Sequence, residues 1–363
     1  MTGLGRPPRQ SPRRSNSRPL VVSRPVCYNR EMLDEFRQDP VSGDWVLFSD
    51  KRAGRPHAKE EKVFFQPKSA CPFEGDFKGQ EQTLLLLNHG KVVDLDAEAW
   101  TTRVIKNKYP VVIDGMCSPV RTEADFLVSV GTGSHELVIT KDHDRQPADL
   151  SDEELAEVLA AYRARYAVLS RDSCTRYVSI FHNHGHLAGA SVYHNHSQIV
   201  SMPLVPSLIE RSVSRARAYQ EKNGRTIYES VLDFEIEDGK RTVLENDSFI
   251  AFCPYVSRSP YSVKIFPKTE QASFGEITDS QTPLLAQALG GVLRKLKALR
   301  DDPDFIYFVR TAPLNDRISH REYRWHLEIM PRESPAAGLE LGTDVFINTV
   351  DPDIAAEALR SVV

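Results

Sequence analysis

Histidines are concentrated in one short stretch of this sequence. Of the eleven histidines in the 363-residue chain, five fall within fifteen consecutive positions: His182, His184, His186, His194 and His196. If SVYHNHSQIVSM (191–202) is a β-strand, its alternation places His194, His196 and Gln198 on one face. A neutral imidazole can act as a nucleophile toward phosphorus or as a metal ligand. We therefore expect the function of the protein to reside here.

A glycine-rich turn precedes this strand. It contains Asn183, Gly185, Gly189 and Ser191. Their amide, backbone N–H and hydroxyl groups are the kinds of donor that bind phosphate. An imidazole beside such a turn predicts nucleophilic attack on phosphorus through a covalent phosphohistidine-type intermediate. The attacking nitrogen is free if the other ring nitrogen donates to a fixed acceptor. The interleaved His182, His184 and His186 are interpreted as polar groups near the phosphate.

The composition excludes several classes of protein. The chain has 46 basic and 50 acidic residues, a formal net charge of -4, which argues against a dedicated nucleic-acid binder. No apolar run approaches the roughly 20 residues of a membrane helix, so we expect no membrane association. The five cysteines are widely spread and no secretory signal opens the chain. We therefore expect no disulfide framework and a cytoplasmic protein.

The first segment differs in composition from the rest. Residues 1–26 hold six arginines, five prolines and no acidic residue. Such a segment cannot bury enough apolar surface to offset the entropy of ordering, so we predict a disordered basic tail over 1–30. Nucleic-acid binding through this tail is an alternative, and it would be steeply dependent on salt.

The remaining sequence predicts an α+β fold built from two copies of one unit. In the first unit (31–205), strands are expected at 44–48, 101–112, 135–140, 176–181 and 191–202. A capping box from Ser151 to Glu154 begins a helix that ends near 172. In the second unit (206–363), helices are expected at 206–222 and 280–300, with strands at 226–231, 248–252, 261–266, 305–312 and 323–331. The same order of elements thus occurs twice: strands, a long helix, a strand, a turn and a strand. We predict an internal duplication, each unit an antiparallel sheet with a packed helix.

Several segments resemble one enzyme family. GASVYHNHSQ resembles the active-site strand of galactose-1-phosphate uridylyltransferases, a branch of the histidine triad superfamily marked by His-x-His-x-Gln. Further segments match family blocks in the same order over about residues 35–360: DPVSGDWVLFSDKRAGRP, RVIKNKYP, CPYVSRSPYSVKIFPK, WHLEIMP and LELGTDVFIN. The resemblance extends to ADP-glucose phosphorylase-like members. It implies two histidine-triad-like domains, the first of them catalytic.

The resemblance also implies roles for individual residues. His196 is the nucleophile, and Gln198 hydrogen-bonds the transferred phosphoryl group. The phosphates would be bound by Asn183, Gly189 and Ser191, and the nucleotide would lie near Arg52, Arg55 and Asn107. A nucleotide sugar would pass its nucleoside monophosphate, by default UMP, to His196 and release hexose 1-phosphate. A second phosphate would then collect the nucleotide. The family also implies a homodimer and a place in galactose metabolism.

Family members often hold a structural zinc ion, and the resemblance assigns the ligand positions here to Cys71, Glu74, His135 and His194. Glu74 stands where a second cysteine is usual, although a carboxylate can ligate zinc. An empty, hydrogen-bonded site is the alternative. His57, His89, His143 and His320 are predicted to be solvated loop histidines. In the second unit His326 and Glu328 occupy the places of His194 and His196, so that unit is expected to be non-nucleophilic and to contribute to the sugar pocket or the fold.

Two alternatives to hexose-1-phosphate uridylyl transfer stay open. One is a phosphorylase that acts on ADP-glucose or a dinucleoside polyphosphate with inorganic phosphate as the acceptor. The other is a nucleotide-binding protein that has kept the fold and lost catalysis. The intact His196 and Gln198 favour an enzyme.

Overall fold

The computed structural model describes residues 34–49, 65–74, 82–117, 120–314 and 320–362. In these ranges the strands are β1 (Glu35–Gln38), β2 (Trp45–Phe48), β3 (Thr83–Asn88), β4 (Lys91–Val92), β5 (Thr102–Lys106), β6 (Arg121–Glu123), β7 (Phe126–Val128), β8 (His135–Thr140), β9 (Tyr177–His184), β10 (His196–Met202), β11 (Thr242–Glu245), β12 (Phe249–Phe252), β13 (Val263–Pro267), β14 (Phe305–Arg310), β15 (His326–Pro331) and β16 (Phe346–Asn348). The α-helices are α1 (Asp152–Leu169), α2 (Ser207–Asn223), α3 (Ile227–Asp238), α4 (Gln281–Arg300), α5 (Gly338–Thr343) and α6 (Pro352–Ser361).

Eleven strands form one sheet in the order β11-β12-β13-β15-β14-β9-β10-β8-β5-β3-β4, and their pairings are antiparallel. The centre of this sheet is the β9–β14 pair, where Phe181 lies opposite Phe308. We call the strands from β3 to β10 the first half and those from β11 to β15 the second half. In the second half, three strands of the sheet precede the long helix α4 and two follow it; in the first half, four strands of the sheet precede α1, the two-residue β4 among them, and two follow it. In both halves the last strand lies between the two strands that flank the long helix in sequence. The predicted α+β fold is confirmed.

One face of the sheet is covered by α1 and α4. A continuous core joins their apolar side chains to strand residues of both halves, including Val178 and Ile199 of the first and Ile265 and Leu327 of the second. The capping box of Ser151 and Glu154 begins α1 as predicted. Since neighbouring strand residues alternate between faces, His196 and Gln198 belong to the opposite face of the sheet from Ile199.

A second cluster of apolar side chains covers the opposite face of the second half. Helices α2 and α3 contribute Ile209 and Leu232 to it, and the sheet contributes Phe252 and Phe266. The segment 226–231, predicted as a strand, is the beginning of α3. The Thr226 hydroxyl accepts from the Glu229 backbone while the Glu229 carboxylate accepts from that of Thr226. This capping box overrides the β propensity of Ile227 and Tyr228.

Three further observations bear on the sequence-based expectations. The strand predicted over 191–202 begins only at His196, so His194 lies in the preceding loop. Cys117 and Cys174 form a disulfide with their Cα atoms 5.3 Å apart, contrary to the expectation of none; the fold brings together thiols 57 positions apart. In the ranges the structure covers, no helix combines the length and apolar character required to cross a bilayer.

The approach of α1 to α4 yields a prediction about stability. A Cβ atom on Gly290 of α4 would lie 2.7 Å from Leu155 Cδ1 of α1. The change Gly290→Val should therefore lower the free energy of unfolding by about 1–3 kcal/mol through overpacking. Denaturant titration measures this effect. Gly342→Val is the matched control, because a Cβ at Gly342 meets no atom within 4 Å; equal stability of the two variants would contradict the prediction.

Candidate active site

His196 begins β10, and the backbone of its own segment holds its ring. Its Nδ1 lies 2.9 Å from the carbonyl oxygen of His194. Burial lowers the pKa of His196 below its ordinary value of 6.5, so the ring is neutral at pH 7. A neutral ring that donates from Nδ1 carries its lone pair on Nε2. Because Nε2 has no hydrogen-bond partner in the part of the chain that the structure covers, it is the nitrogen available for nucleophilic attack.

Gln198 shares the face of His196, and a histidine of the neighbouring strand fixes its amide. The Val111 N–H lies 3.2 Å from His135 Nδ1 and donates to it, so the ring proton of His135 is on Nε2. That Nε2 lies 2.9 Å from Gln198 Oε1. Since the amide oxygen accepts from His135, the NH2 group of Gln198 remains as a donor beside the nucleophile. His135 therefore acts as a positioning residue.

Asn107, predicted to lie near the nucleotide, packs against the same histidine. Its NH2 group lies 3.4 Å from the acceptor nitrogen His135 Nδ1, and its backbone N–H donates to the His135 carbonyl oxygen at 2.8 Å. The structure thus brings Asn107 and Gln198 together around His135. Arg52 and Arg55, the other residues predicted near the nucleotide, lie outside the described residues.

The turn between β9 and β10 begins with Asn183 on the active-site face. His182 pairs with Ser197, so the register places Asn183 opposite His196 at the end of the ladder. Gly189 has a φ of +80° and is exposed, as is Ser191. Both therefore offer their polar groups to solvent on the loop that leads into His196. Strand register and alternation place Asn183 on the face of His196.

A carboxylate of the second half holds this turn in place. Asp304 Oδ2 accepts a hydrogen bond of 2.5 Å from the Leu187 N–H. Gly185 has a φ of +87°, and a Cβ atom there would overlap the Asp304 carboxylate. Glycine is thus required at 185 both for its backbone conformation and for the close approach of Asp304. Asp304 could not be predicted from sequence, because no local pattern around it marks a contact with residues more than a hundred positions away.

Cys71, His143 and His194 form a buried cluster whose ligand atoms all lie within 4.8 Å of one another. Both histidines are oriented by backbone carbonyls: His143 Nε2 lies 2.7 Å from the Gln66 oxygen, and His194 Nε2 lies 2.7 Å from the Thr140 oxygen. Each Nδ1 is then a lone-pair donor, as metal-binding histidines require. The Glu74 carboxylate lies 3.5 Å from His194 Nδ1 and 3.7 Å from His143 Nδ1.

These residues fit a metal ion. The buried Nδ1 atom of His143 has no hydrogen-bond partner within the described ranges, and it points toward the thiol and carboxylate side of the cluster. One thiolate, two imidazoles and a carboxylate are a donor set that binds transition metals in proteins. His135, which was assigned as a ligand, lies outside this cluster, and its Nε2 is engaged with Gln198. The mid-chain histidine of the cluster is His143, which was predicted to be solvated and is 1% exposed.

His194 joins this cluster to the nucleophile. Its Nδ1 faces Cys71, at 3.6 Å from the sulfur, while its carbonyl oxygen accepts from His196. The sequence pattern placed His194 and His196 on one face of a strand. The loop conformation at His194 instead directs its ring into the cluster beside Cys71, whereas the His196 ring lies on the active-site face of the sheet.

The remaining histidines lie elsewhere. His182 and His184 are buried and alternate with Asn183, so they face away from the active-site face. His182 Nδ1 lies 3.1 Å from the Ser197 hydroxyl, and the interpretation of these two as groups near the phosphate is wrong. Of the histidines expected in solvated loops besides His143, His89 is exposed, His320 is buried, and His57 lies outside the described residues.

Comparison with known proteins agrees with this geometry. Residues 27–206 match the family model for the N-terminal domain of galactose-1-phosphate uridyl transferase, and residues 120–362 match a domain of unknown function, DUF4921. An ADP-glucose phosphorylase of Arabidopsis thaliana is 30% identical over 336 residues, 90% of this chain and 93% of that protein. A galactose-1-phosphate uridylyltransferase of Thermotoga maritima is 28% identical over 339 residues, 90% of this chain and 98% of that protein.

The fold also matches that of solved structures. A crystal structure of an ADP-glucose phosphorylase from Arabidopsis thaliana with bound ADP-glucose superposes with a TM-score of 0.76 at 28% identity, and the match covers 91% of this chain and 98% of that one. The fold and the neutral, backbone-held His196 define an enzyme of the nucleotidyltransferase class. The chain belongs to the galactose-1-phosphate uridylyltransferase family.

The buried cluster makes a testable prediction about metal content. The purified protein should contain a stoichiometric transition-metal ion, measured by inductively coupled plasma mass spectrometry. Cys71→Ser and His143→Ala should each remove most of it, because each deletes a ligand atom. His135→Gln is the matched control and should retain the metal, since His135 contacts Gln198 instead. Loss of metal in His135→Gln with retention in His143→Ala would reverse the assignment.

Proposed function

We propose that this enzyme transfers a nucleoside monophosphate from a nucleotide sugar to a phosphate acceptor through a covalent bond to His196 Nε2. The observation that carries the proposal is the hydrogen bond from His196 Nδ1 to the His194 carbonyl oxygen, 2.9 Å long. It selects the tautomer in which the lone pair is on Nε2. The donor NH2 of Gln198 on the same strand face supports the same conclusion.

In the first step, the Nε2 lone pair attacks the α-phosphorus of the nucleotide sugar. The N–P bond forms as the bond from that phosphorus to the bridging oxygen breaks, and the bridging oxygen leaves on hexose 1-phosphate. The ring becomes positively charged, and the hydrogen bond from Nδ1–H to the His194 carbonyl strengthens as it does so. Donation from Gln198 and from the turn at 183–191 offsets the charge on the phosphoryl oxygens.

In the second step, a phosphate oxygen of the acceptor attacks the same phosphorus and the N–P bond breaks. The electron pair returns to Nε2, so the neutral ring is regenerated without a net proton transfer. Gln198 cannot act as a base toward water, because an amide does not accept a proton near neutral pH. The resulting lack of water activation favours transfer over hydrolysis.

The base and the acceptor distinguish two versions of this chemistry. The main proposal is uridylyl transfer between hexose 1-phosphates, supported by the match of residues 27–206 to the uridyl transferase model. The second is adenylyl transfer from ADP-glucose to inorganic phosphate, favoured by the 30% identity to an ADP-glucose phosphorylase. Both use the same nucleophile and differ in the nucleotide that becomes attached to it.

Intact-protein mass spectrometry separates the two. The full-length protein is incubated with UDP-glucose, UDP-galactose or ADP-glucose without an acceptor. A uridylyl increment supports the main proposal and an adenylyl increment the second. His196→Asn should give no adduct with any donor, and peptide mapping should place the wild-type adduct on His196. An adduct at another residue, or none with any of the three donors, would overturn the proposal.

The pH dependence of adduct formation is a further prediction. Burial holds the pKa of His196 below 6.5, so the attacking form stays populated when the pH falls through that value. The single-turnover rate should be flat from alkaline pH down through 6.5 and decline only below it, as Nε2 becomes protonated. Quenched-flow measurement at saturating donor tests this. A rate that is already half-maximal at pH 6.5 would contradict a lowered pKa.

The metal in the Cys71 cluster is proposed to be zinc, with a structural role. Thiolate and imidazole ligands with a carboxylate favour zinc, and four protein ligands would leave no open position for substrate. Cys71, His143, His194 and Glu74 would hold it. When bound, the ion would fix the loop that carries the His194 carbonyl, and the transfer steps themselves need no metal.

The duplication and the oligomeric state are also proposed. Two histidine-triad-like domains, 31–205 and 206–363, are supported by the spatial order β3-β5-β8-β10-β9 in the first half of the sheet, which the order β11-β12-β13-β15-β14 repeats in the second. A homodimer is supported by exposed apolar side chains near the β6–β7 hairpin: Tyr109, Val111, Met116, Phe126 and Leu127 are each more than 70% exposed. Such a concentration is typical of interaction surfaces.

A further inference from the structure

A cavity of about 270 Å³ lies on the second half, and its lining contains none of the active-site residues described above. Sheet strands β13, β14 and β15 supply Lys264, Arg310, His326 and Glu328. The segment around β1 and β2 contributes Asp39 to the opposite wall, and α3 contributes Tyr228. By strand alternation, the four sheet residues are on the same face of the sheet as His196 and Gln198.

The cavity occupies in the second half the position that the nucleophile occupies in the first. His326 begins β15 as His196 begins β10. Its Nδ1 lies 3.2 Å from the carbonyl oxygen of Arg324, two residues earlier, which repeats the His196–His194 contact. Glu328 then stands where the first half has Gln198. His326 and Glu328 were predicted to occupy the places of His194 and His196; in the structure they occupy those of His196 and Gln198.

The polar groups of this cavity are incompletely paired. The Arg310 guanidinium makes no hydrogen bond within the described ranges, and its nearest carboxylate, Glu328, is 3.8 Å away. Lys264 Nζ lies 3.4 Å from Asp39 Oδ2. Burial and then Lys264 lower the pKa of His326 to about 3, so its ring is neutral. Among the residues that the structure describes, its Nε2 has no hydrogen-bond partner and is an acceptor. Buried groups of this kind usually have partners, so a ligand that both donates and accepts would satisfy them.

The cations of the cavity do not exceed its carboxylates. Lys264, Arg258 and Arg310 face the carboxylates of Asp39, Asp44 and Glu328, and a fourth carboxylate, Glu235, is paired with Arg241. Although burial opposes ionisation, Lys264, Arg310 and Arg258 together hold the pKa of Glu328 below its usual range, so this carboxylate is charged. The negative charge of Glu328 in the sheet face of the cavity disfavours a phosphate there.

We propose that this cavity is a second ligand site, and that it binds an uncharged, polyhydroxylated ring such as a free hexose. Hydroxyl groups both donate and accept, so they complement Arg310, Glu328 and His326 Nε2 together. Tyr255 and Val256 contribute apolar surface to the lining. A volume of about 270 Å³ suits a single small ring better than a complete nucleotide sugar. This inference does not depend on the proposed function of His196.

Binding of D-glucose and D-galactose to the full-length protein is measured by isothermal titration calorimetry, with glucose 1-phosphate as the charged comparator. Because the active site also accepts sugar phosphates under the proposed function, each titration is repeated in His196→Asn and Gln198→Ala. A free hexose should bind saturably in all these proteins. Its affinity should fall about tenfold or more in Arg310→Met and Glu328→Gln, which remove a donor and a charged acceptor.

Lys268→Met is the matched control, because Lys268 pairs with Glu245 outside the cavity; it should bind the hexose as the wild type does. If the cavity variants do not fold, hydrogen–deuterium exchange of the wild type answers the question, since the sugar should protect α3 and β1–β2 and leave 183–198 unchanged. No hexose binding, loss of binding in Gln198→Ala but not in Arg310→Met, or tighter binding of glucose 1-phosphate in the second cavity would overturn the proposal. Covalent labelling of His196 is independent of each of these results.

Discussion

The hydrogen bond from His196 Nδ1 to the carbonyl oxygen of His194 is the interaction on which the active site depends. It determines the tautomer of the ring, leaves the lone pair on Nε2, and remains able to stabilise the positive charge that forms when that nitrogen is phosphorylated. A side-chain acceptor could do the same, but it would also have to be oriented. The position of a backbone carbonyl two residues away is set by the chain conformation alone. The orientation of the His196 ring therefore depends on the conformation of the loop at His194.

Three independent contacts hold that loop and its surroundings. The His194 ring is engaged by the Thr140 carbonyl and faces Cys71, so the cluster at Cys71, His143 and His194 secures one side. Asp304 holds the turn at Leu187 from the second half of the sheet. His135 fixes the amide of Gln198 from the neighbouring strand. The nucleophile itself makes few contacts, and the rigidity of the site comes from residues that do not react.

Much of this could be predicted from sequence, for identifiable reasons. A capping box and the spacing of apolar residues predicted α1. Strand alternation predicted that His196 and Gln198 share one face of β10. The predictions that failed concern residues whose side chains contact residues far away in the sequence. His194 leaves the strand because its ring is drawn toward Cys71 and His143, more than fifty positions away. His135 was assigned to the metal site through the family resemblance and His143 to a solvated loop, and only the packing shows that the His143 ring lies beside the thiol. The contact of Asp304 with the turn carries no local signal at all.

The pairing of β9 with β14 has a consequence for the second half of the sheet. Phe181 and Phe308 lie opposite each other where the two halves join, so the strand that leads into the glycine-rich turn is a central strand of the sheet. Without the second half, β9 would be an edge with a row of open backbone donors and acceptors, a template for aggregation. The second half therefore protects the edge of the strand that leads to His196. This pairing constrains its backbone, even where its own side chains take no part in the transfer.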